Sequence, residues 1–512
     1  MKDKRAIVVG AGLGGLSAAA YLARAGLEVD VFERNSYPGG YACSFVRGPY
    51  EFEASLHELS GIGPPGNRGS CYRVLEGCDV ARRVEFLPID DFYTSIFPDF
   101  TVRVPHGWEA AEEAYCDQFP RERKGISRVM QAMRRINDAS AEASKITKAS
   151  DALTLPFKAG DLVRSMGITV AQALDREMKD PGLKALFTNI WGYYGLPPSR
   201  LSWLLFAVAN ASYIEHGPYH VKGTTQALSN AFVESIEDNG GRVHLRDGVV
   251  SIEVADGRAT GVVTGQGGRH KADFVVCSAN PITTCFSLIG PDKVPADYLK
   301  ALAGRHIAVS TFNVYMGLDH PAADLGLDGH EFFINEGYDY DDQYLRMFTT
   351  DRPSYWAVTN YNHADPEFSP PGTSVVVLTA LVDYTPWAHL PADRYRETKD
   401  RIAREMIEAT DRRFPGLKDH LAVVEVSTPI TNMRYSGNPG GSILGFDYDL
   451  AGSPPFRLSN RGPLERLFFA NAWVRMGGGM ETCITSGLFA YGEVMKDLRG
   501  TRGLAKLLPA TG

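Results

Sequence analysis

The stretch Ala6-Ile7-Val8-Val9-Gly10-Ala11-Gly12-Leu13-Gly14-Gly15 decides the fold. Its four leading apolar residues read as a buried parallel strand, because a strand covered on both faces shows a continuous run and no alternation. A helix follows: Leu16, Ala19, Ala20, Leu22 and Ala23 recur at helical spacing, and Gly26 stands where a left-handed C-terminal cap is usual. Val29 to Phe32 then resumes strand character. Gly10, Gly12 and Gly15 match G-x-G-x-x-G, in which the glycines allow a tight turn, close backbone approach to a pyrophosphate and close helix-on-strand packing. Glu33 lies 18 residues beyond Gly15, where a carboxylate ending the second strand accepts hydrogen bonds from an adenosine ribose. Strand, turn, helix, strand and terminal acid stand in register, so the spacing predicts dinucleotide binding. The acid argues against a bound 2′-phosphate and leaves FAD and NAD both open.

The totals place this unit in a larger protein. At 512 residues the chain exceeds one ordinary core, so two domains are expected. Hydrophobic residues at 44% and charged residues at 22% give the usual globular balance. No run approaches the roughly 20 apolar residues of a membrane-spanning helix. Met1-Lys2-Asp3-Lys4-Arg5 leads straight into the first strand and leaves no room for a signal peptide, so a cytoplasmic location is expected. Seven scattered cysteines without a C-x-x-C pair predict reduced thiols and no zinc site. A net charge of −8 provides no electrostatic footprint for nucleic acid. Peripheral membrane contact stays open, since a local patch can carry it, and the oligomeric state is not legible.

Further along, Tyr50-Glu51-Phe52-Glu53 alternates aromatic and acidic residues before Ala54-Ser55-Leu56-His57-Glu58, and this stretch is expected to line a site. Gly61 to Gly69 is a loop. From Trp108 to about Ala211 the pattern is helical, with helices over Glu109 to Phe119, Ile126 to Ile146 and Val170 to Met178, and a break at Pro197-Pro198. Residues 222 to 290 return to α/β character: a helix over Gln226 to Asn239, then strands at Val243 to Leu245, Val249 to Val254, Thr260 to Thr264 and Phe274 to Cys277, with a hairpin turn at Asp256-Gly257. The last of these strands ends in Ser278-Ala279-Asn280-Pro281, a strand end where ligands of open α/β sheets sit. Between 305 and 460 come strands at Val309 to Gly317, Ser374 to Val382 and Ala422 to Ser427, and one amphipathic helix, Asp393 to Thr410. Aromatic residues are dense there, among them Phe332, Phe333, Tyr355, Trp356, Tyr361 and Trp387, either as core or as walls of an apolar cavity. Leu467 to Ala470 reads as a strand, followed by Asn471-Ala472-Trp473, the run Gly477-Gly478-Gly479 and a helix from Glu481 to Leu498 whose N-terminus suits an anionic group.

Four of these stretches together carry a resemblance. Pro38-Gly39-Gly40 after Glu33 resembles the extended fingerprint of two-domain FAD proteins. With the Gly223 to Pro281 block, Thr428-Pro429 and Tyr435, and Leu467 to Leu488, it makes nearly the whole chain similar to FAD flavoproteins of the phytoene desaturase type, which include carotenoid isomerases and retinol saturases and are distantly related to amine oxidases. Phe52-Glu53-Ala54-Ser55-Leu56-His57 and Asp365-Pro366 look most like the retinol saturase and carotenoid isomerase branch. The resemblance implies an α/β fold: a Rossmann-type FAD-binding domain built from 1–85, 222–290 and 465–500, and an α+β substrate domain of mixed sheet and helices from 86–221 and 291–464, helical over 108–211, as in glutathione-reductase-like and amine-oxidase-like proteins. By the same resemblance Gly10, Ala11, Gly12, Leu13, Gly14 and Gly15 cradle the FAD pyrophosphate; Glu33 and Arg34 serve the adenosine end; Gly39, Gly40 and Tyr41 pass beside the cofactor; and Val249 meets the adenine. Ala279, Asn471, Ala472, Gly479, Met480 and Ile484 complete the set around the flavin. Two positions depart from the family's habit: Tyr41 follows the paired glycines, and Asn471 stands where glycine is common, a substitution expected to work because Asn tolerates left-handed backbone.

Flavin chemistry at a carbon–carbon bond needs a hydride at one carbon and a proton at its neighbour. His57 is the first candidate for the proton, having an unperturbed pKa near neutrality, and Glu58 the second. Tyr41, Tyr435 and Glu481 are further candidates, each with a structural reading as well, and His216 and His220 are placed at the seam between domains without metal-site spacing. The expected activity is FAD-dependent desaturation, saturation or isomerisation of a lipophilic polyene or isoprenoid. Flavin amine oxidation is the alternative, and a flavin-free prenyl-binding chaperone like the GDP-dissociation inhibitors is the alternative from another class.

Overall fold

A computed structural model describes residues 3–144, 160–453 and 456–499. Arg5–Val9 is the central strand of a five-stranded parallel sheet, in the order Leu467–Phe469, Phe274–Cys277, Arg5–Val9, Glu28–Phe32, Arg242–His244. Ala6, Ile7 and Val8 are wholly buried, since helices cover one face and the 249–303 region covers the other. Asp30 locks the edge of this sheet. Its buried carboxylate accepts hydrogen bonds from Arg5 Nη2 at 2.7 Å, Arg242 Nε at 3.0 Å and His244 Nε2 at 2.8 Å, so one acid ties three neighbouring strands.

The first helix, Leu13–Arg24, packs against the last, Met480–Arg499, at backbone distance. A Cβ on Gly14 would overlap the Ala470 carbonyl, and one on Gly487 would stand 2.5 Å from the Gly14 carbonyl oxygen and 2.5 Å from Ser17 Cβ. The hairpin expected around Asp256-Gly257 joins Val249–Ala255 to Arg258–Thr264, and with Arg269–Lys271 it makes a separate three-stranded antiparallel sheet. Thr224–Asp238 is the helix expected over Gln226 to Asn239, and its first turn is capped by an acid far away in sequence: Glu53 accepts the Thr225 N–H at 2.7 Å and the Thr225 hydroxyl.

A second sheet has seven strands in the order Leu421–Ser427, Ser310–Leu318, Ser374–Val382, Tyr355–Asn360, Glu331–Asn335, Asp91–Ile96, Thr101–Pro105, all antiparallel neighbours except the parallel pair Glu331–Asn335 and Asp91–Ile96. Four of them escaped the sequence pattern. Glu331–Asn335 and Tyr355–Asn360 are buried at every position, which erases the period-two signal. Asp91–Ile96 is buried at all but its first residue, and Thr101–Pro105 alternates but is only five residues long. Helix Ala392–Asp411 covers one face of this sheet through Ile402, Ala403 and Met406. Helices between Trp108 and His216 cover the other through Met130, Met133 and Phe206. The helix read as running to Ile146 is described as Arg123–Ser144; its last two expected residues lie outside the described residues, as does Gly500. Most of the dense aromatics are core: Phe332, Trp356 and Trp387 fill the sheet–helix interface, and Tyr361 packs beneath the Ser44–Arg47 and Tyr50–Glu53 hairpin. Among the described residues no helix is long and apolar enough to cross a membrane.

Two predictions follow from this packing. Gly487→Ala places its methyl against fixed backbone and is expected to cost about 1–3 kcal/mol, as overpacked cores do, whereas Gly492→Ala, on the same helix with open space around it, is expected to leave stability unchanged or raise it. Denaturant midpoints of the two variants check this; equal midpoints would contradict the packing. For Asp30, burial opposes ionisation, but hydrogen bonds from His244, Arg242 and Arg5 outweigh it and hold the carboxyl down to about 2, below its ordinary 3.8. A depressed acid contributes stability that is complete above the ordinary pKa and is lost as pH falls toward the folded one. The stability difference between wild type and Asp30→Asn is therefore expected to shrink as pH drops through that window, read from denaturant midpoints across an acid series.

Candidate functional site

The glycine turn opens onto a cavity of about 1490 Å³, which reaches from the parallel sheet to the seven-stranded one. Gly10 is left-handed at φ +92° and donates its N–H to the Phe32 carbonyl at 2.9 Å, which bends the chain away from the strand. Glu33 braces the turn from below: Oε2 accepts the Ala11 N–H at 2.8 Å and Oε1 the Asn35 N–H at 2.8 Å. Each oxygen keeps a lone pair, and the carboxylate lines the cavity. Gly39, at φ +119°, donates to the Ala11 carbonyl at 2.7 Å, and any side chain there would overlap Ala42 and Ser229. A Cβ on Gly12 would stand 2.8 Å from Ser278 Oγ. Helix Leu13–Arg24 begins with neither a side-chain cap nor an acid in its first turn. Its free N–H groups and positive end therefore face the cavity, the arrangement that holds a phosphate. A bare cradle, an uncapped helix and a half-satisfied acid beside them together fit the adenosine diphosphate part of a dinucleotide.

Gly10, Gly12, Leu13, Gly14, Glu33, Arg34, Gly39, Gly40, Tyr41, Val249, Ala279, Asn471, Ala472, Gly479 and Met480 all line this one cavity. Three of the expected residues do not. The Ala11 amide is turned to Glu33; Gly15 is a packing glycine whose Cβ would sit 2.5 Å from the Gly10 carbonyl; and Ile484 is core, its carbonyl accepting the Ser17 hydroxyl. Arg34 extends over the rim and donates to the carbonyls of Tyr435 at 2.7 Å and Arg434 at 3.2 Å. Tyr41 donates to the Gly441 carbonyl at 2.9 Å, and burial raises its phenol above the ordinary range.

Asn471 corrects an expectation. It has no left-handed backbone. Its side chain is a clip instead: Nδ2 donates to the Ala279 carbonyl at 2.8 Å and the Cys277 carbonyl at 3.3 Å, and Oδ1 accepts the Trp473 N–H at 3.0 Å. The loop after the last strand is thus tied to the strand end that carries Ser278.

At the far end His57 and Glu58 line the cavity, and the buried Glu331 lies against His57. His57 Nδ1 donates to Glu331 Oε1 at 2.8 Å and lies 3.1 Å from Thr359 Oγ1, while the Thr359 hydroxyl donates to Glu331 Oε2 at 2.6 Å. Glu331 and Thr359 face each other across paired strands, and His330 Nε2 donates to the His57 carbonyl at 2.9 Å. Glu58 is only 5% exposed, lines the cavity and has no hydrogen-bond partner on either oxygen. Burial first, and the charge of Glu331 second, push its carboxyl well above the ordinary carboxylate range. Tyr193, Phe333, Tyr355, Leu381 and Leu444 supply the walls around it. Tyr435 and His216 also line the cavity, as does Glu481, whose carboxylate accepts the Ser60 hydroxyl and the Ser70 hydroxyl, the latter at 2.5 Å. His220 does not; it is buried against His330, Tyr361 and Phe368. Sequence reasoning placed Ser278 at a ligand-bearing strand end but missed Glu331, Thr359 and Tyr193. Only Glu331 carried a signal, an acid directly before Phe332-Phe333 in an apolar run. No cluster of metal-ligating side chains occurs among the described residues.

Parallel nucleotide-binding sheet, mixed second sheet and shared cavity define the amine-oxidase-like flavoprotein fold. An oxidoreductase from Methanosarcina mazei has the same fold, with a TM-score of 0.66 at 17% identity over 96% of this chain and 100% of that one. The profile of the family described as flavin containing amine oxidoreductase matches residues 13–494, and the chain belongs to that family. Among its relatives, prolycopene isomerase 2 of an Oncidium hybrid cultivar is 26% identical over 85% of this chain and 74% of its own length. The all-trans-retinol 13,14-reductase of Danio rerio is 24% identical over 88% of this chain and 78% of its own length.

The Asn471 clip is testable without any ligand. Asn471→Ala removes three buried hydrogen bonds and is expected to lower stability by about 1–3 kcal/mol in a thermal or denaturant scan; an unchanged midpoint would show that the loop is held by other contacts.

Proposed function

We propose that the protein is an FAD-dependent oxidoreductase that desaturates, saturates or isomerises a carbon–carbon bond of a lipophilic polyene or isoprenoid. The observation that carries this reading is the continuity of one cavity from the glycine cradle and Glu33 to walls of Tyr193, Phe333, Tyr355, Leu381 and Leu444. Its volume exceeds the roughly 300–1,000 Å³ of an ordinary ligand site, which suits a dinucleotide together with a second, apolar molecule. Relatives named for polyene and retinoid chemistry support the substrate class.

The residues divide the work. Gly12 and Gly14 offer backbone N–H groups to the pyrophosphate beside the Gly10 turn, Glu33 accepts the ribose hydroxyls, and Arg34 and Val249 border the adenine. Asn471, Ala472, Gly479 and Met480 border the flavin. When bound there, the flavin supplies hydride transfer. The aromatic walls exclude water and hold a flat apolar chain, and His57 and Glu58 stand where a proton must move. In this reading residues 1–85, 222–290 and 465–500 form the FAD-binding domain, and 86–221 and 291–464 the substrate domain. The family match supports an enzyme over a flavin-free chaperone. Amine oxidation is favoured by one observation of its own: the partnerless carboxyl of Glu58 can receive an ammonium group.

The purified protein is expected to be yellow with an oxidised-flavin spectrum. Under anaerobic mixing a polyene or isoprenoid is expected to bleach the oxidised flavin if it is desaturated, or to restore the colour of the pre-reduced flavin if it is saturated, and amines are expected to do neither; bleaching by amines alone would replace this reading with the second. Glu33→Ala is expected to weaken FAD binding by about 1.5–3 kcal/mol, measured by titrating the apoprotein with FAD.

A further inference from the structure

We propose that Glu58 gives the proton to, or takes it from, the substrate carbon, and that His57, Thr359 and Glu331 are positioning residues beneath it. This rests on the polyene reading above and assigns roles within that site. The geometry separates the two neighbours that the sequence treated alike. His57 is engaged: its Nδ1 proton is shared between Glu331 and Thr359, its carbonyl is held by His330, and its ring meets Tyr193 edge-on with centroids 6.2 Å apart. Glu58 is the opposite case, a buried carboxyl in the cavity wall with both oxygens unpaired. A buried polar group without partners costs about 1–3 kcal/mol, so its placement calls for a function or a ligand.

The surroundings set its state. Glu331 faces it from the sheet, Tyr193 from the turn Asn189–Tyr193, and Tyr213 from helix Trp203–His216, whose hydroxyl donates to the Glu58 carbonyl at 3.3 Å; His57 adjoins it along the chain. Thr359 and His57 donate to both oxygens of Glu331, so its hydrogen-bonding capacity is taken up. Burial and the neighbouring Glu331 outweigh the opposing pull of the Tyr193 hydroxyl and favour the protonated form of Glu58, the form able to protonate carbon.

In the hydrogenation direction the balance is simple. A bound reduced flavin dinucleotide would supply a hydride, with its electron pair, to one carbon of the double bond, and Glu58 gives its proton to the neighbouring carbon. The product gains two hydrogens, the cofactor is left oxidised, and Glu58 is left as a carboxylate that recovers its proton from solvent. Desaturation runs the same steps backward and starts from the Glu58 carboxylate.

Infrared difference spectra and kinetics of the flavin-loaded protein test this. The substrate-free wild type at neutral pH is expected to show a carboxylic-acid C=O band that Glu58→Gln removes; absence of that band from the wild type overturns the proposal. Glu58→Gln is expected to keep the flavin spectrum and KM while kcat falls about 10²–10⁴-fold. In the hydrogenation direction wild-type kcat is expected to fall as pH rises through the Glu58 pKa, and Glu58→Gln to lose that limb. An unchanged kcat, or a raised KM with kcat kept, overturns the proposal and makes Glu58 a binding group. Glu58→Asp, which keeps an acid, is expected to recover part of the lost rate, and a loss equal to that of Glu58→Gln also overturns it. If no polyene reacts with the wild type, the substrate reading falls by itself, while the infrared band still reports whether Glu58 carries its proton.

Discussion

The structure depends on backbone meeting backbone where the first and last helices cross. Gly14 presses on the Ala470 carbonyl, and Gly487 presses on Gly14 and Ser17. Residues from opposite ends of the chain can approach this closely only because Gly14 and Gly487 carry no Cβ. The contact seats the uncapped N-terminus of helix Leu13–Arg24 beside the loop that Asn471 ties down, so both walls of the cavity's nucleotide end are set by one packing event. Asp30 holds the other side of the same sheet, joining its strands through Arg5, Arg242 and His244.

Polar groups occupy the two ends of the cavity, with apolar walls between them. At one end, amide dipoles and the helix terminus present positive potential, with Glu33 as the acceptor beside them. At the other, Glu331 is fully engaged and Glu58 is not. Low polarity in the wall strengthens charge effects there, and burial together with the neighbouring Glu331 raises the Glu58 carboxyl above its ordinary range.

Local rules covered a good part of this. The glycine turn, the Asp256-Gly257 hairpin, the last strand and helix, and the long amphipathic helix now seen as Ala392–Asp411 all came from spacing within a few residues. Local rules failed where burial was complete. Glu331–Asn335 and Tyr355–Asn360 lost their alternation inside the molecule, and with them went Glu331 and Thr359. Asn471 was placed correctly at the cavity but for the wrong reason, because a side-chain clip between distant carbonyls leaves no local trace. Gly15 and Ile484 were assigned to the cofactor from the motif, although their contacts are packing contacts.

The sequence by itself determined the nucleotide-binding unit, since a glycine at φ +92° and an acid at the end of the next strand are demands that the backbone makes within some thirty residues. It also brought His57 and Glu58 into view. Only the tertiary structure decided how those two differ. The hydrogen-bond partners of His57 lie some 270 to 300 residues away on two paired strands, and whether an acid is satisfied or left alone depends on which distant groups folding brings within reach.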